Sequence, residues 1–178
     1  MKNKLMTIFI AGAITATGFS ARASEVSAER IGDLLQVALP AYALGLTMQE
    51  EDWDGTLQFA KVFAASTSTE IGIKYFVNQE RPNGANVSAF PSGHTMAAFS
   101  AATFIHRRYG LYRAALPYAL ATFVGYSRVQ SKWHTVDDVV AGAVFAGLWT
   151  MAFAERKMPP ITVSADTHGA KLNFHTRF

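Results

Sequence analysis

The sequence predicts an all-α protein, a compact antiparallel bundle of about five helices with a possible small β-hairpin at its C-terminal end. Half of the 178 residues are apolar and only 16% are charged, and the apolar stretches have the length and spacing of packed helices. The length suits one domain rather than two. The chain has no cysteine, so disulfides and thiolate metal sites are excluded.

Residues 1–23 are predicted to be a secretory signal peptide. Lys2 and Lys4 form a positively charged start, residues 5–19 are mostly apolar, and Ala21-Arg22-Ala23 supplies a cleavage site of the small-residue type. The alternative is an uncleaved first membrane helix, although the apolar run is short for a membrane span. The prediction divides the rest of the chain into a helical domain, 24–158, and a tail, 159–178.

The charge balance changes when this leader is set aside. Without Lys2, Lys4 and Arg22 the chain has 13 basic and 13 acidic residues, so its formal net charge is zero. A nucleic-acid-binding domain carries a clear basic excess. We therefore expect no nucleic-acid partner, and any positive field must be local.

The first two helices are predicted at about 27–48 and 55–77. The acidic patch that follows the first helix marks its end, and Asp54 is the candidate N-cap of the second. Glu70 precedes Lys74 by four residues, which places both side chains on one face of the second helix.

Three further helices are predicted at about 92–108, 112–129 and 135–157. The last is expected to stop before Pro159-Pro160, because proline cannot continue a helix. In the tail, apolar and polar residues alternate from 171 to 178, which is the period of a β-strand. With the apolar start at 161–163 and a turn-like segment between, this alternation predicts the small hairpin.

Polar residues interrupt the apolar helices in three clusters. The clusters are Lys74 with Arg81-Pro82, then Pro91-Ser92-Gly93-His94, and then Ser127-Arg128 with His134 and Asp138. Taken singly, each has an ordinary explanation as solvated charges at a helix end, a helix N-cap or a surface pair. Each cluster nevertheless falls at a helix end, and antiparallel helices would bring these ends together on one face of the bundle.

The residue types on that face suit a phosphate group. Lys74, Arg81 and Arg128 supply three positive charges. Ser92 and Gly93 lie at a helix start, where free backbone N–H groups and the helix dipole favour an anion. Arginine can hold two oxygens of a tetrahedral anion at once, which fixes the orientation of the anion as well as its charge.

The two histidines have separable chemical roles. Asp138 follows His134 by one helical turn, so its carboxylate can orient the imidazole and leave the other ring nitrogen free to attack. His94 can protonate the leaving oxygen. The carboxylates do not cluster as metal ligands, and no cofactor is expected. These residues predict metal-independent hydrolysis through a phosphohistidine.

The three clusters resemble the signature of the type 2 phosphatidic acid phosphatase superfamily, which also contains bacterial acid phosphatases and vanadium haloperoxidases. The pattern Lys-x6-Arg-Pro, Pro-Ser-Gly-His and Ser-Arg-x5-His-x3-Asp is matched at every fixed position. The resemblance implies a helical bundle in which His134 is the nucleophile, Asp138 orients it and His94 is the general acid. It also implies a set of phosphate ligands, which are Lys74, Arg81, Ser92, Gly93 and Arg128. Only the eight residues 83–90 separate the first two motifs, which is short for the family and indicates an open site.

The resemblance leaves several substrates open. Integral members of the family act on lipid phosphates or pyrophosphates, and a lipid phosphate is the favoured prediction here. The alternative is a soluble periplasmic acid phosphatase of broad specificity. A vanadate-dependent haloperoxidase, which would need a larger scaffold, and a non-catalytic envelope protein are the less favoured alternatives.

The predicted location is the bacterial cell envelope, in or on the inner membrane with the active site facing the periplasm. Two helices are apolar for roughly 15 residues, near the ~20 that span a bilayer. The end opposite the motifs carries five cations, as the positive-inside rule expects of a cytoplasmic face; they are Arg107, Arg108, Arg113, Arg156 and Lys157. A soluble periplasmic protein is the alternative.

Overall fold

The computed structural model describes residues 27–157, 161–166 and 169–174. Within these residues five helices form the bundle: α1 (Ala28–Gln49), α2 (Trp53–Phe76), α3 (Gly93–Tyr109), α4 (Leu111–Gln130) and α5 (Val136–Phe153). Strands β1 (Ile161–Asp166) and β2 (Gly169–Phe174) pair antiparallel, with Ile161 opposite Phe174. The all-α prediction is confirmed. The predicted signal peptide lies outside the described residues.

Helix α3 is the centre of the bundle, because it contacts all four of the other helices. Its buried face includes Ala98, Ala101 and Ala102, whose small side chains let neighbouring backbones approach closely. Phe59 and Val62 of α2 are also buried in this core. Successive helices run up and down, so the N-terminal ends of α1, α3 and α5 lie with the C-terminal ends of α2 and α4.

The helix starts follow from their capping residues. Ser92 caps α3 and accepts a hydrogen bond from the Thr95 N–H. Thr135 caps α5, and Asp138 completes a capping box by accepting from the Thr135 N–H. Each cap satisfies backbone donors that the helix itself leaves free. Two of the predicted motifs therefore include the residues that start their own helices.

The predicted N-cap of α2 was wrong by two residues. Asp52, rather than Asp54, caps this helix, and its carboxylate accepts from the Gly55 N–H at 3.0 Å. Asp52 is buried and has further partners on α3, whereas Asp54 is exposed in the first turn. Long-range contacts thus decide between two acids that are equally good caps locally.

Helix α5 ends at Phe153, four residues before the predicted end. The next residues leave the helix because their backbone bonds to other parts of the bundle. The Glu155 N–H donates to the Gln58 side chain at 2.9 Å, and the Lys157 N–H donates to the carbonyl of Arg108 at 3.0 Å. The chain is thereby drawn across the end of the bundle.

A buried ion pair closes the end of the bundle that lies away from the three motifs. Arg108 donates to both carboxylate oxygens of Asp52, at 2.8 and 2.6 Å, and the Tyr109 hydroxyl donates at 2.7 Å. Burial by itself would raise the pKa of Asp52, but the hydrogen bonds from Arg108, Tyr109 and the Gly55 N–H outweigh burial and hold that pKa well below its usual range.

Replacement of Asp52 by alanine is expected to destabilise the bundle by about 3–5 kcal/mol, because Arg108 is left as a buried charge without its partner. The effect is complete at neutral pH and is lost progressively as the pH falls below about 4, because unfolded Asp52 takes up a proton there before folded Asp52, whose pKa is depressed, does so. Chemical unfolding in detergent measures it. The matched control is Arg113→Gln, which breaks the more exposed ion pair with Glu50. This change should lower the free energy of unfolding by about 0–1 kcal/mol. Equal losses of unfolding free energy in the two variants would contradict the prediction.

Candidate active site

The three motifs meet at one end of the bundle, and Asp138 is where they join. The Ser92 N–H of the second motif donates to the carbonyl of Asp138 at 3.0 Å. The Gln79 side chain, inside the first motif, donates to the Asp138 carboxylate at 3.0 Å. Asp138 itself closes the third motif. One residue is therefore bonded to all three parts of the predicted signature.

The Asp138 carboxylate is fully buried but well satisfied. One oxygen accepts from the Thr135 N–H at 2.8 Å, and the other accepts from Gln79. It also lies in the first turn of α5, where the helix dipole favours a negative charge. These partners satisfy both oxygens of the buried carboxylate.

His134 lies beside this carboxylate and is buried. Its Nδ1 is 3.6 Å from Asp138 Oδ2, longer than a hydrogen bond, and it has no hydrogen-bond partner among the described residues. Contacts of this kind are often long in the absence of substrate. The backbone N–H of His134 donates to the carbonyl of Arg128 at 3.2 Å, which sets where the imidazole enters the site.

The surroundings keep His134 uncharged. Burial lowers the pKa of His134 to about 4, and the positive charges of Arg81 and Lys74 act in the same direction. The Asp138 carboxylate and the Ala89 backbone act against this shift without reversing it. At neutral pH the imidazole therefore has a lone pair, which a nucleophile requires.

Arg81 is held in place by the loop that connects α2 to α3. Its Nε donates to the Asn86 side chain at 2.7 Å, and its backbone N–H donates to the carbonyl of Asn86 at 2.9 Å. The guanidinium lies 4.9 Å from the centre of the Trp133 ring, within the range of a cation–π interaction. Trp133 in turn donates to the Glu29 carboxylate at 2.6 Å. Trp133 thus forms one wall of the site.

Gly93 packs closely against α2. A Cβ there would overlap the Glu70 carboxylate, which forms an ion pair with Lys74. Gly142 of α5 is similar, since a Cβ there would lie 2.7 Å from the carbonyl oxygen of Ser92. The start of α3 is therefore pressed between α2 and α5, which brings Lys74 close to the capped helix end.

The N-terminal turns of α1 complete the site. Arg128, which is buried, donates from Nη1 to Asp33 Oδ1 at 2.8 Å and from Nη2 to the carbonyl of Glu29 at 2.7 Å. The Nε2 atom of His94 lies 3.1 Å from the same Asp33 oxygen. Gly32 lies against the side chains of Ser127 and Arg128, leaving no room for a Cβ.

All eight sequence-predicted site residues lie at this end of the bundle. They are Lys74, Arg81, Ser92, Gly93, His94, Arg128, His134 and Asp138. Sequence reasoning missed Glu29, Asp33 and Gln79, and it recognised Glu70 only as a helical neighbour of Lys74. A weak signal existed for Gln79, which lies between the fixed positions of the first motif. Within the described residues, His, Asp and Glu side chains do not gather into a group of three or more that could hold a metal ion.

Comparisons with known proteins agree with the motifs. A family model of the PAP2 superfamily matches residues 7–157. The Lipid A 4'-phosphatase of Helicobacter pylori is 32% identical over 143 residues, which cover 74% of this chain and 71% of that protein. The Lipid A 1-phosphatase of Porphyromonas gingivalis is 38% identical over 73 residues, 39% of this chain but only 16% of the longer relative.

Two solved structures share the fold. The crystal structure of Aquifex aeolicus LpxE aligns with a TM-score of 0.54 and 22% identity over 67% of this chain and 83% of that one. The transmembrane PAP2-type phosphatidylglycerolphosphate phosphatase from Bacillus subtilis aligns with a TM-score of 0.52 and 20% identity over 84% and 90%. The chain therefore belongs to the PAP2 superfamily, as its three motifs predicted, and its enzyme class is that of a phosphatase.

Proposed function

We propose that the protein hydrolyses phosphate or pyrophosphate esters of lipids through a phosphohistidine at His134, without a metal ion. The observation that carries this proposal is the position of His134, a buried and uncharged imidazole at the end of the bundle that holds Lys74, Arg81 and Arg128. An uncharged nucleophile among fixed cations is the arrangement that attack on a phosphate anion requires.

The reaction has two steps. The free imidazole nitrogen of His134 attacks phosphorus, the bond from phosphorus to the ester oxygen breaks, and His94 gives a proton to that oxygen. Water then attacks the phosphohistidine, the phosphorus–nitrogen bond breaks, and His94 takes back a proton from the water. Inorganic phosphate leaves, and both histidines return to their starting states.

The cations replace the role that a metal ion has in other phosphatases. Lys74, Arg81 and Arg128 lower the cost of the charge that spreads over the transferring phosphoryl oxygens. The N-terminus of α3, at Ser92 and Gly93, adds backbone N–H donors and the positive end of a helix dipole.

The outer surface of the bundle favours a lipid substrate. Val136, Val140, Val144 and Leu148 are each more than half exposed, and their spacing of four places them in one stripe along α5. Helices α1 and α5 are long and apolar enough to cross a membrane. The two relatives named above are lipid A phosphatases by name. This apolar surface does not distinguish one lipid phosphate from another.

We further propose that the site end of the bundle faces the periplasm. The opposite end carries the cations Arg107, Arg113, Arg156 and Lys157, which the positive-inside rule places in the cytoplasm. A leader at residues 1–23 followed by a helical domain at 24–158 fits this orientation. The apolar stripe of α5 disfavours the soluble periplasmic alternative.

His134→Ala should abolish trapping of labelled phosphate on the enzyme, because the nucleophilic nitrogen is lost. The measurement is acid- or denaturant-quenched labelling, at a pH that preserves phosphohistidine, with a short-chain phosphatidate labelled in its phosphate and with EDTA present. Asp137→Asn is the matched control, since this exposed acid belongs to the same turn of α5. A His134→Ala protein that still becomes labelled would rule out the phosphohistidine.

The imidazole of His134 should be neutral at pH 5.5. A histidine with an ordinary pKa of about 6.5 would be about nine-tenths protonated there, whereas the pKa of His134 is lowered to about 4 by burial and by Arg81 and Lys74. Nitrogen-15 NMR of the detergent-solubilised protein, with the signal assigned through His134→Ala, distinguishes the two states. An imidazolium signal at pH 5.5 would show that Asp138 governs this residue instead.

The full chain should remain with the membrane pellet after alkaline carbonate extraction. The reason is the exposed apolar stripe of α5, which would otherwise be left in water. Val140→Glu with Val144→Lys, placed in the middle of the stripe, should shift protein to the soluble or aggregated fraction. Release of the unmodified protein by carbonate would contradict membrane embedding.

A further inference from the structure

Asp33 connects two residues of the site that belong to different motifs. Its Oδ1 accepts from Arg128 Nη1 at 2.8 Å and lies 3.1 Å from His94 Nε2. The side chain of Arg128 is almost fully buried, whereas that of Asp33 is 49% exposed. Asp33 belongs to α1, outside all three motifs. No family motif therefore assigns it a role.

We propose that Asp33 is a positioning residue that orients His94 and holds it as the protonated acid of the reaction. The proposal rests on the function proposed above, in which His94 protonates the leaving oxygen. Asp33 accepts a hydrogen bond from the Nε2–H of His94, so the proton that is given to the leaving oxygen is the one on Nδ1. The partner of one ring nitrogen sets the role of the other.

The position of each proton during the reaction follows from this arrangement. When the phosphorus–oxygen bond breaks, the Nδ1 proton passes to the departing alkoxide and His94 becomes neutral. The Nδ1 lone pair then accepts a proton from the attacking water. The other proton stays on Nε2 throughout, in a hydrogen bond to Asp33, so the ring does not need to turn between the two steps.

The charges around His94 explain why a carboxylate is needed beside its ring. Burial and the positive charge of Arg128 on α4 lower the pKa of His94, while Asp33 on α1 and Glu70 on α2 act in the opposite direction. Asp33 is the one of these two carboxylates with a hydrogen bond to the ring. Its removal would leave the imidazolium beside Arg128 with less to offset the repulsion.

A competing role for Asp33 is that of a simple brace for Arg128. The two roles differ in how they respond to the leaving group. An acid matters when the departing oxygen is a poor leaving group, such as an alkoxide, and matters little for p-nitrophenolate. A brace for Arg128 acts on the phosphoryl group, which is common to all substrates.

The experiment compares kcat/KM of Asp33→Asn on a short-chain phosphatidate and on p-nitrophenyl phosphate, in the full chain in detergent. We expect a loss of about tenfold to hundredfold on the alkyl ester, part of the 10²–10⁴ that acid catalysis supplies, and a loss of less than about threefold on the aryl ester. The retained aryl activity also shows that the variant is folded. Asp137→Asn, which removes an exposed charge from the same end, should affect both esters little and alike.

A second variant pair tests whether Asp33 acts through His94. On a His94→Ala background, Asp33→Asn should produce no further loss that depends on the leaving group, measured with phenyl and p-nitrophenyl phosphate. Equal losses on alkyl and aryl esters for Asp33→Asn alone would overturn the proposal in favour of the brace. If the unmodified protein hydrolyses none of these esters, the proposed function fails and this proposal fails with it.

Discussion

The structure of the site depends on one buried carboxylate. The Asp138 carboxylate caps α5 together with Thr135 and accepts a hydrogen bond from Gln79 in the loop after α2. The backbone carbonyl of Asp138 accepts a hydrogen bond from the Ser92 N–H at the start of α3. A buried anion needs such partners; the carboxylate takes them from the first and third motifs, and the backbone carbonyl of the same residue bonds to the second motif. The requirement to satisfy Asp138 therefore also assembles the site. Asp138 acts to raise the pKa of His134, but burial and the charges of Arg81 and Lys74 outweigh it.

The site is close to electrically balanced before any substrate arrives. Lys74 is paired with Glu70 and Arg128 with Asp33, while Arg81 is held by Asn86 and Trp133. Unpaired cations packed at a bundle end would repel one another and destabilise the fold, so the acids have a structural role as well. A phosphate dianion must compete with these carboxylates for the cations.

The motifs and the starts of α3 and α5 could be predicted because both are local. Ser92 and Thr135 are recognisable caps, and the fixed spacings of Lys74, Arg81, His134 and Asp138 put these residues near helix ends. Asp33 and Gln79 could not be found in this way, since they contact residues 95 and 59 positions away. The choice of Asp52 over Asp54 as a cap also depends on a distant partner, Arg108. Sequence patterns specify each helix, whereas the packing of helices selects among equivalent side chains.

Helix α5 carries the proposed membrane-facing stripe on one face and a residue of the site on the other. Val136, the first residue of the exposed stripe, is two residues from His134, and Asp138 lies on the opposite, buried face of the same turn. A lipid whose chains lie along the stripe would therefore present its phosphate at the height of His134, the proposed nucleophile. The short loop at 83–90 is exposed through most of its length and leaves the side of the site open. A substrate that stays in the bilayer needs such lateral access, because withdrawing its chains into water would cost about 0.8 kcal/mol for each methylene.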